Sequence, residues 1–373
     1  MALAVLAALL LTGCWNRYET NELSIPDGLG FDWSNGQYAA IASAYNTRAA
    51  VSPGGQGGGS ATDVNLPETL FLTGHGAAPG LALTDIDHVS SRHVLWAPAG
   101  LVLIGQGAAQ HGIAPILEAL SHEPWFRPTI RIMVAHGSAS QILQKRQSGP
   151  ETSISRALVL ISQTSQFDQS TSWAPHLFDV YRMDAEQGRS YLLPAVSNTD
   201  KAFPQGPPYS IADSAVMTND RLVAWLPRHQ VRMALWMDGR FTRGTFAITC
   251  GGGPGAINVY QAGQRVQPIL SGSQVTGMSV QLTGRATVVN PCPSHDLSTI
   301  QSAADAAVQA DAASTINWIK STGYDVAGFG EDVYRVAPGA WSAVGQQWPA
   351  TLVTLAIRLK VQITVAGSGI TRP

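Results

Sequence analysis

The spacing of apolar residues changes along this 373-residue chain, and each change predicts a different element. Residues 2–11 are apolar without a break and stop at Thr12-Gly13-Cys14-Trp15. About a dozen residues is too short for a bilayer-spanning helix, which needs roughly 20, but fits the apolar stretch of a secretory leader. After the Asn35-Gly36 turn signal, "GQYAAIASAYNT" reads as a strand. "PETLFLTGHGAAPGLALTDIDHV" reads as strand, turn and helix. In "SRHVLWAPAGLVLIGQGAAQHGIAPILEALSHEP" two strands lead into a helix. Its Ile113, Ile116, Leu117 and Leu120 share one face at period 3.6. "TIRIMVAHG" alternates as a strand, "ETSISRALVLISQTSQF" and "HLFDVYRMDAE" read as helices, and "SYLLPAVS" as a strand.

Beyond residue 210 strands dominate: "SAVMTNDRLVAWL" with a turn at Asn219-Asp220, "RGTFAITCGGG", "AINVYQA" and "GMSVQLTGRATVVN". A long amphipathic helix follows from about Thr299 to Ser321. In the last strand Leu355, Ile357, Leu359, Val361, Ile363 and Val365 alternate with Ala356, Arg358, Lys360, Gln362 and Thr364, which predicts one wet face. Without strict βαβ alternation in the second half, the pattern predicts an α+β protein. Two or three mixed domains are expected, with largely antiparallel sheets flanked by helices. The expected organisation is a leader at 1–13, a first domain at 14–202 with a further division near 130 left open, a Pro/Gly-rich linker at 203–210, and a second domain at 211–373. Residues 52–60, "SPGGQGGGS", form a low-complexity loop with no lysine or helix opening behind it, so it is no phosphate cradle.

Composition narrows the function. Apolar residues make up 45%, enough for packed domains, and a net charge of -2 leaves no basic footprint for nucleic acid. Cys250 and Cys292 are the only cysteines after Cys14. They could pair in an oxidising exterior, but free buried thiols are the default expectation. Leu11-Thr12-Gly13-Cys14 resembles the bacterial lipobox, whose cysteine takes a diacylglyceryl group and becomes residue one, although no Lys or Arg precedes the apolar run. The bland alternative for Cys14 is an ordinary buried cysteine. One acyl chain such as palmitate holds only marginally, whereas two anchor stably.

Catalytic readings fare poorly. "LVLIGQGAAQHG" has the strand, Gly105-x-Gly107 and helix of a dinucleotide site. Gln110 occupies the third glycine position, however, and the next strand ends in His136 where the ribose needs an acid. His75, His111 and His136 have no metal-ligand spacing, and Ser138 and Ser140 lack a nucleophile elbow. Asp85, Asp87, Asp305 and Asp311 are scattered. Trp341 and Trp348 could line a ligand cleft, but capping a sheet is the simpler role. The expectation is therefore no enzyme, no cofactor and no metal.

Five stretches, in order, carry a family resemblance. "LTGCWNRYETNEL" supplies Cys14, Trp15, Arg17, Glu19 and Leu23; "TGHG" follows at 73; "RHVLWAPAGLVLIGQGAAQHGI" supplies Trp96, Gly105, Ala109 and Gly112. Then come "SAVMTNDRLVAWL" and "WIKSTGYDVAGFGEDVYRVAPGAWSAVGQQWPATL", with Asp325, Gly328, Phe329, Gly330, Trp341 and Trp348. Together they resemble the Ger(x)C family, the lipoprotein C subunits of bacterial spore germinant receptors. Asn16, Tyr18, Pro98 and Gln106 depart from its pattern at polar positions. The resemblance implies a non-catalytic subunit anchored through Cys14 to the outer face of the inner spore membrane. It would act beside the integral-membrane A and B subunits in the germination response to nutrients. Direct contact with a small-molecule germinant is left open. The rival expectation is a solute-binding lipoprotein that delivers a ligand to a permease-like partner.

Overall fold

The computed structural model describes residues 19, 22–46, 69–145, 150–151, 153–199, 209–294 and 296–366. The expected leader, Cys14, Trp15, Arg17, the glycine-rich loop and residues 203–208 of the linker lie outside these.

The larger sheet has eight strands. In chain order they are β2 (Pro26–Ser34), β3 (Gln37–Tyr45), β4 (Thr69–Gly76), β6 (Leu101–Ile104), β7 (Arg131–Ala135), β8 (Tyr191–Asn198), β9 (Tyr209–Thr218) and β10 (Arg221–Pro227). Their spatial order is β10-β9-β8-β7-β6-β2-β3-β4. The β2–β6, β6–β7 and β7–β8 pairings are parallel, and the outer pairings are antiparallel. Both predicted tight turns form hairpins. Asn35-Gly36 and Asn219-Asp220 take positive φ at both positions (52° and 76°; 48° and 62°), as a primed turn between right-twisted strands requires. A short parallel pair, β1 (Leu23–Ser24) with β5 (His93–Val94), ties the N-terminal end to the loop before β6.

Helices cover both faces of this sheet. On one face lie α1 (Pro79–Val89), α2 (Gln106–His111), α3 (Ala114–His122) and α6 (Leu177–Ala185), burying Ile86, Ile116, Leu120 and Val180 against Phe31, Ile132 and Val134. On the other, α4 (Ala139–Leu143) and α5 (Ile154–Gln169) bury Ile142 and Leu158 against Leu101, Leu103 and Met133. The strand "TIRIMVAHG" thus alternates between two cores, with no wet face. A strand buried on both sides by crossing helices is how parallel pairings survive.

β8 and β9 are neighbours in this sheet, with Asn198 paired to Tyr209. The stretch expected to open a second domain therefore completes the first sheet. The second sheet, β11-β12-β13-β14, is built from Gly244–Cys250, Gly253–Ser271, Gln274–Asn290 and Ala356–Val365. Its long hairpin β12–β13 is antiparallel and β14 runs parallel to β13. Among the helices that cover it are α7 (Arg228–Met237) and α8 (Leu297–Thr322). Helix α8 buries Ile300, Ala304, Val308, Ala312, Thr315, Ile316 and Ile319 along one stripe. The Asp296 side chain accepts from Thr299 N at its start, and Gly323 takes the left-handed conformation (φ 75°) at its end. Leu192, Val216 and Leu226 of the first sheet pack into the same core as Val231 and Trp236, so the two sheets share apolar contacts.

One expectation is corrected here. Cys250 and Cys292, read as free thiols, are disulfide-bonded, with Cα atoms 5.8 Å apart and both residues buried. The β11–β12–β13 meander returns residue 292 to the end of β11, and that separation is within bridging range.

Candidate functional site

The described resemblance motifs separate into four places. Glu19 lies exposed at the N-terminal edge, its backbone N–H donating to Glu22 Oε2 at 3.0 Å. Trp96 is buried and stacks on Phe126 at 5.2 Å between ring centroids. Gly105 makes room for a carboxylate, because a Cβ there would overlap Asp32 Oδ1. Asp32 accepts from Ala139 N at 2.7 Å, Ser140 N at 3.0 Å and Ser138 Oγ at 2.8 Å. The glycine turn that mimics a dinucleotide site thus serves the chain's own carboxylate.

The remaining six converge. Asp325 is fully buried, and its carboxylate accepts from Phe329 N at 2.9 Å, Gly330 N at 2.6 Å and Trp348 Nε1 at 2.9 Å. Its backbone carbonyl accepts from Ser190 N at 3.1 Å. Burial pushes the Asp325 carboxyl up from its ordinary value, against the pull of these donors. Trp341 and Trp348 pack together at 5.2 Å, both in the core. They close over Gly188, where a Cβ would stand 2.6 Å from Trp348 and 2.7 Å from Trp341. The segment after α6 is thereby clamped to the loop that opens α9 (Phe329–Val336) and to α11 (Trp348–Thr354); between these lies α10 (Pro338–Val344). Both rings pack within the core of the second sheet and its helices.

Above this node is a charged cleft of about 670 Å³. Arg189, only 7% exposed, bridges Glu186 and Asp238, the residues that end α6 and α7. Arg240 shares Asp238 and lies 4.0 Å over the Trp173 ring. Burial, then the neighbouring Arg189 and Arg182, pulls the Arg240 guanidinium down to about 10. Gly328 (φ 77°) brings its backbone close to Arg189, since a Cβ there would lie 3.3 Å from Nη1. Lining the cleft are five arginines (182, 189, 240, 265 and 335) and four carboxylates (Glu186, Asp238, Glu331 and Asp332). Nothing there pairs a nucleophile with a base; the arrangement can hold polar groups or lock α6 to α7. Replacing Arg189 with methionine is expected to cost about 2–4 kcal/mol in urea unfolding, because Glu186 and Asp238, with side chains only 14% and 13% exposed, keep fewer partners. A loss below about 1 kcal/mol would mean that Arg182 and Arg240 fully compensate.

The histidines stay apart. The His75 backbone N–H donates to Asp85, His111 stacks on Trp33, and His136 meets Asp213 at 3.0 Å under Trp225. Among the described residues no His/Cys/Asp/Glu group has the makings of a metal site. Asp305 accepts from Ile363 N, tying α8 to β14, while Asp311 lies near Arg232. Sequence reasoning missed the arginine cleft. Its only local signal was an arginine in the turn "EQGRS", with nothing to show that it is buried.

Comparison with known proteins follows the same lines. Residues 16–198 match the family model described as "Spore germination protein N-terminal domain", and residues 212–369 match "Spore germination B3/ GerAC like, C-terminal". Two Bacillus subtilis (strain 168) proteins align almost end to end. Spore germination protein KC is 23% identical, over 99% of this chain and 95% of its own length. The putative spore germination protein YfkR is 22% identical, over 99% and 96%. The crystal structure of the GerBC protein superposes with a TM-score of 0.54 at 15% identity, covering 91% of this chain and 97% of that one, and it shares the fold. With both family models covering most of its length, the chain belongs to the GerAC family of spore germination proteins, the C subunits of germinant receptors.

Proposed function

We propose that this protein is a non-catalytic, lipid-anchored subunit of a spore germinant receptor, needed for the germination response to nutrients. The observation that carries the reading is the pairing of an end-to-end family match with Cys14 at the close of a leader-like apolar run. Diacylglyceryl on Cys14 would hold the chain at the outer face of the inner spore membrane, beside integral-membrane A and B subunits. Two acyl chains suffice for stable attachment. Among the described residues no helix is long and apolar enough to cross a membrane. Confinement on one surface raises the effective concentration of the subunits without a tight interface.

The test compares wild type with Cys14→Ala expressed in a sporulating host. A diacylglyceryl mass increment and detergent-phase partitioning are expected in the wild type and absent in the variant. Spores carrying the variant should lose most of their nutrient response. An unmodified, water-soluble wild-type protein would defeat the anchor. Normal nutrient germination by variant spores would defeat the need for it.

A further inference from the structure

Three large aromatic side chains of the first unit stand in water on two adjoining segments: Trp125 (60% exposed), Phe178 (49%) and Tyr181 (41%). They come from two segments that the fold joins. Phe178 and Tyr181 are one turn apart on the outer side of α6, and Trp125 sits in the loop between α3 and β7. The Tyr181 hydroxyl meets Ser121 Oγ on α3, while Phe178 N donates to Pro128 O and Leu177 N to Ile130 O. Along the chain Trp125 lies between Ser121 and Pro128, the anchoring points of the other two. Exposed His122 and Arg127 flank Trp125 in the sequence.

The start of the described chain is beside it. β1 pairs with β5, and Leu95 N donates to Ser24 O. Trp96 then stacks on Phe126, the neighbour of Trp125. Cys14 precedes β1 by nine residues. At no more than roughly 3.3–3.6 Å each, they keep a lipid on Cys14 within about 30 Å of this edge. An exposed aromatic cluster marks an interaction surface, and Trp and Tyr are the residues that settle at the boundary between headgroups and acyl chains.

We infer that Trp125, Phe178 and Tyr181 form the face that rests in the headgroup region of the bilayer to which the chain is tethered. This inference rests on the Cys14 anchor. The short tether supplies proximity, and the aromatic patch sets orientation. The charged cleft and the second sheet are then presented at a fixed angle to membrane partners.

The test uses full-length, lipidated protein in phosphatidylcholine–phosphatidylglycerol vesicles at low protein-to-lipid ratio. Nitroxides are attached at Trp125→Cys, Phe178→Cys and Tyr181→Cys in turn. The control is Phe167→Cys, an equally exposed position on α5, the layer across the sheet. Flotation reads the anchor; collision with oxygen and with an aqueous nickel complex reads the patch. The three patch labels should lose access to nickel and gain access to oxygen, while the label at 167 keeps its access to nickel. A chain that floats with all three labels open to nickel overturns the inference and leaves the anchor standing. If the chain fails to float, the anchor falls and the inference falls with it.

Discussion

Asp325→Ala is expected to destabilise the protein by about 3–5 kcal/mol, since two backbone N–H groups and the Trp348 indole would be left without their acceptor. Each orphaned buried donor costs roughly 1–3 kcal/mol. The carboxylate has no solvent-exposed surface, so water cannot take its place without repacking. Urea denaturation would read the loss, and the melting temperature should fall by about 10 °C. A change under about 1 kcal/mol would mean that the Trp341–Trp348 packing holds the node without it. A pH dependence accompanies this. Burial raises the folded-state value of Asp325 above 3.8, so the folded chain keeps a proton that the unfolded chain has released. The contribution from this group is full below about 4 and is lost as pH rises through the raised folded value. The stability difference between wild type and Asp325→Ala should therefore shrink with rising pH across that window; growth would contradict the sign.

Reducing the Cys250–Cys292 bond is expected to cost about 2–4 kcal/mol. The bond closes a loop across a separation of 42 residues, and chain entropy places such a loop near the top of that range. Unfolding with and without reductant measures the cost. Alkylation of the denatured, unreduced protein checks the bond itself: no adduct should form at either position. Adducts at both would restore the free-thiol reading. Such a bond is at home in an oxidising compartment, which is where the proposed Cys14 anchor would hold the chain.

What was legible in the amino-acid order is what neighbours in sequence decide. Asn35-Gly36 and Asn219-Asp220 specify their turns through two adjacent backbones. The stripe from Ile300 to Ile319 specifies a helix within two residues of its observed ends. Motif order was enough to single out Asp325, Gly328, Phe329, Gly330, Trp341 and Trp348, and the apolar run ending at Cys14 was enough to propose an anchor. The mixed α+β architecture follows from the irregular order of those local elements.

Tertiary structure decided everything that depends on distant segments meeting. Strands 209–218 and 221–227 join the first sheet because Asn198 and Tyr209 pair across a segment that reads as a linker. Cys250 reaches Cys292 only through the register of a long hairpin. Asp325 becomes a hub because Ser190, Phe329, Gly330 and Trp348 converge on it from three segments. The arginine cleft and the aromatic patch likewise draw on residues scores of positions apart. Periodicity and turn chemistry act over a few residues, whereas these contacts are set by strand register and by which faces must be buried together. No local pattern encodes either of these.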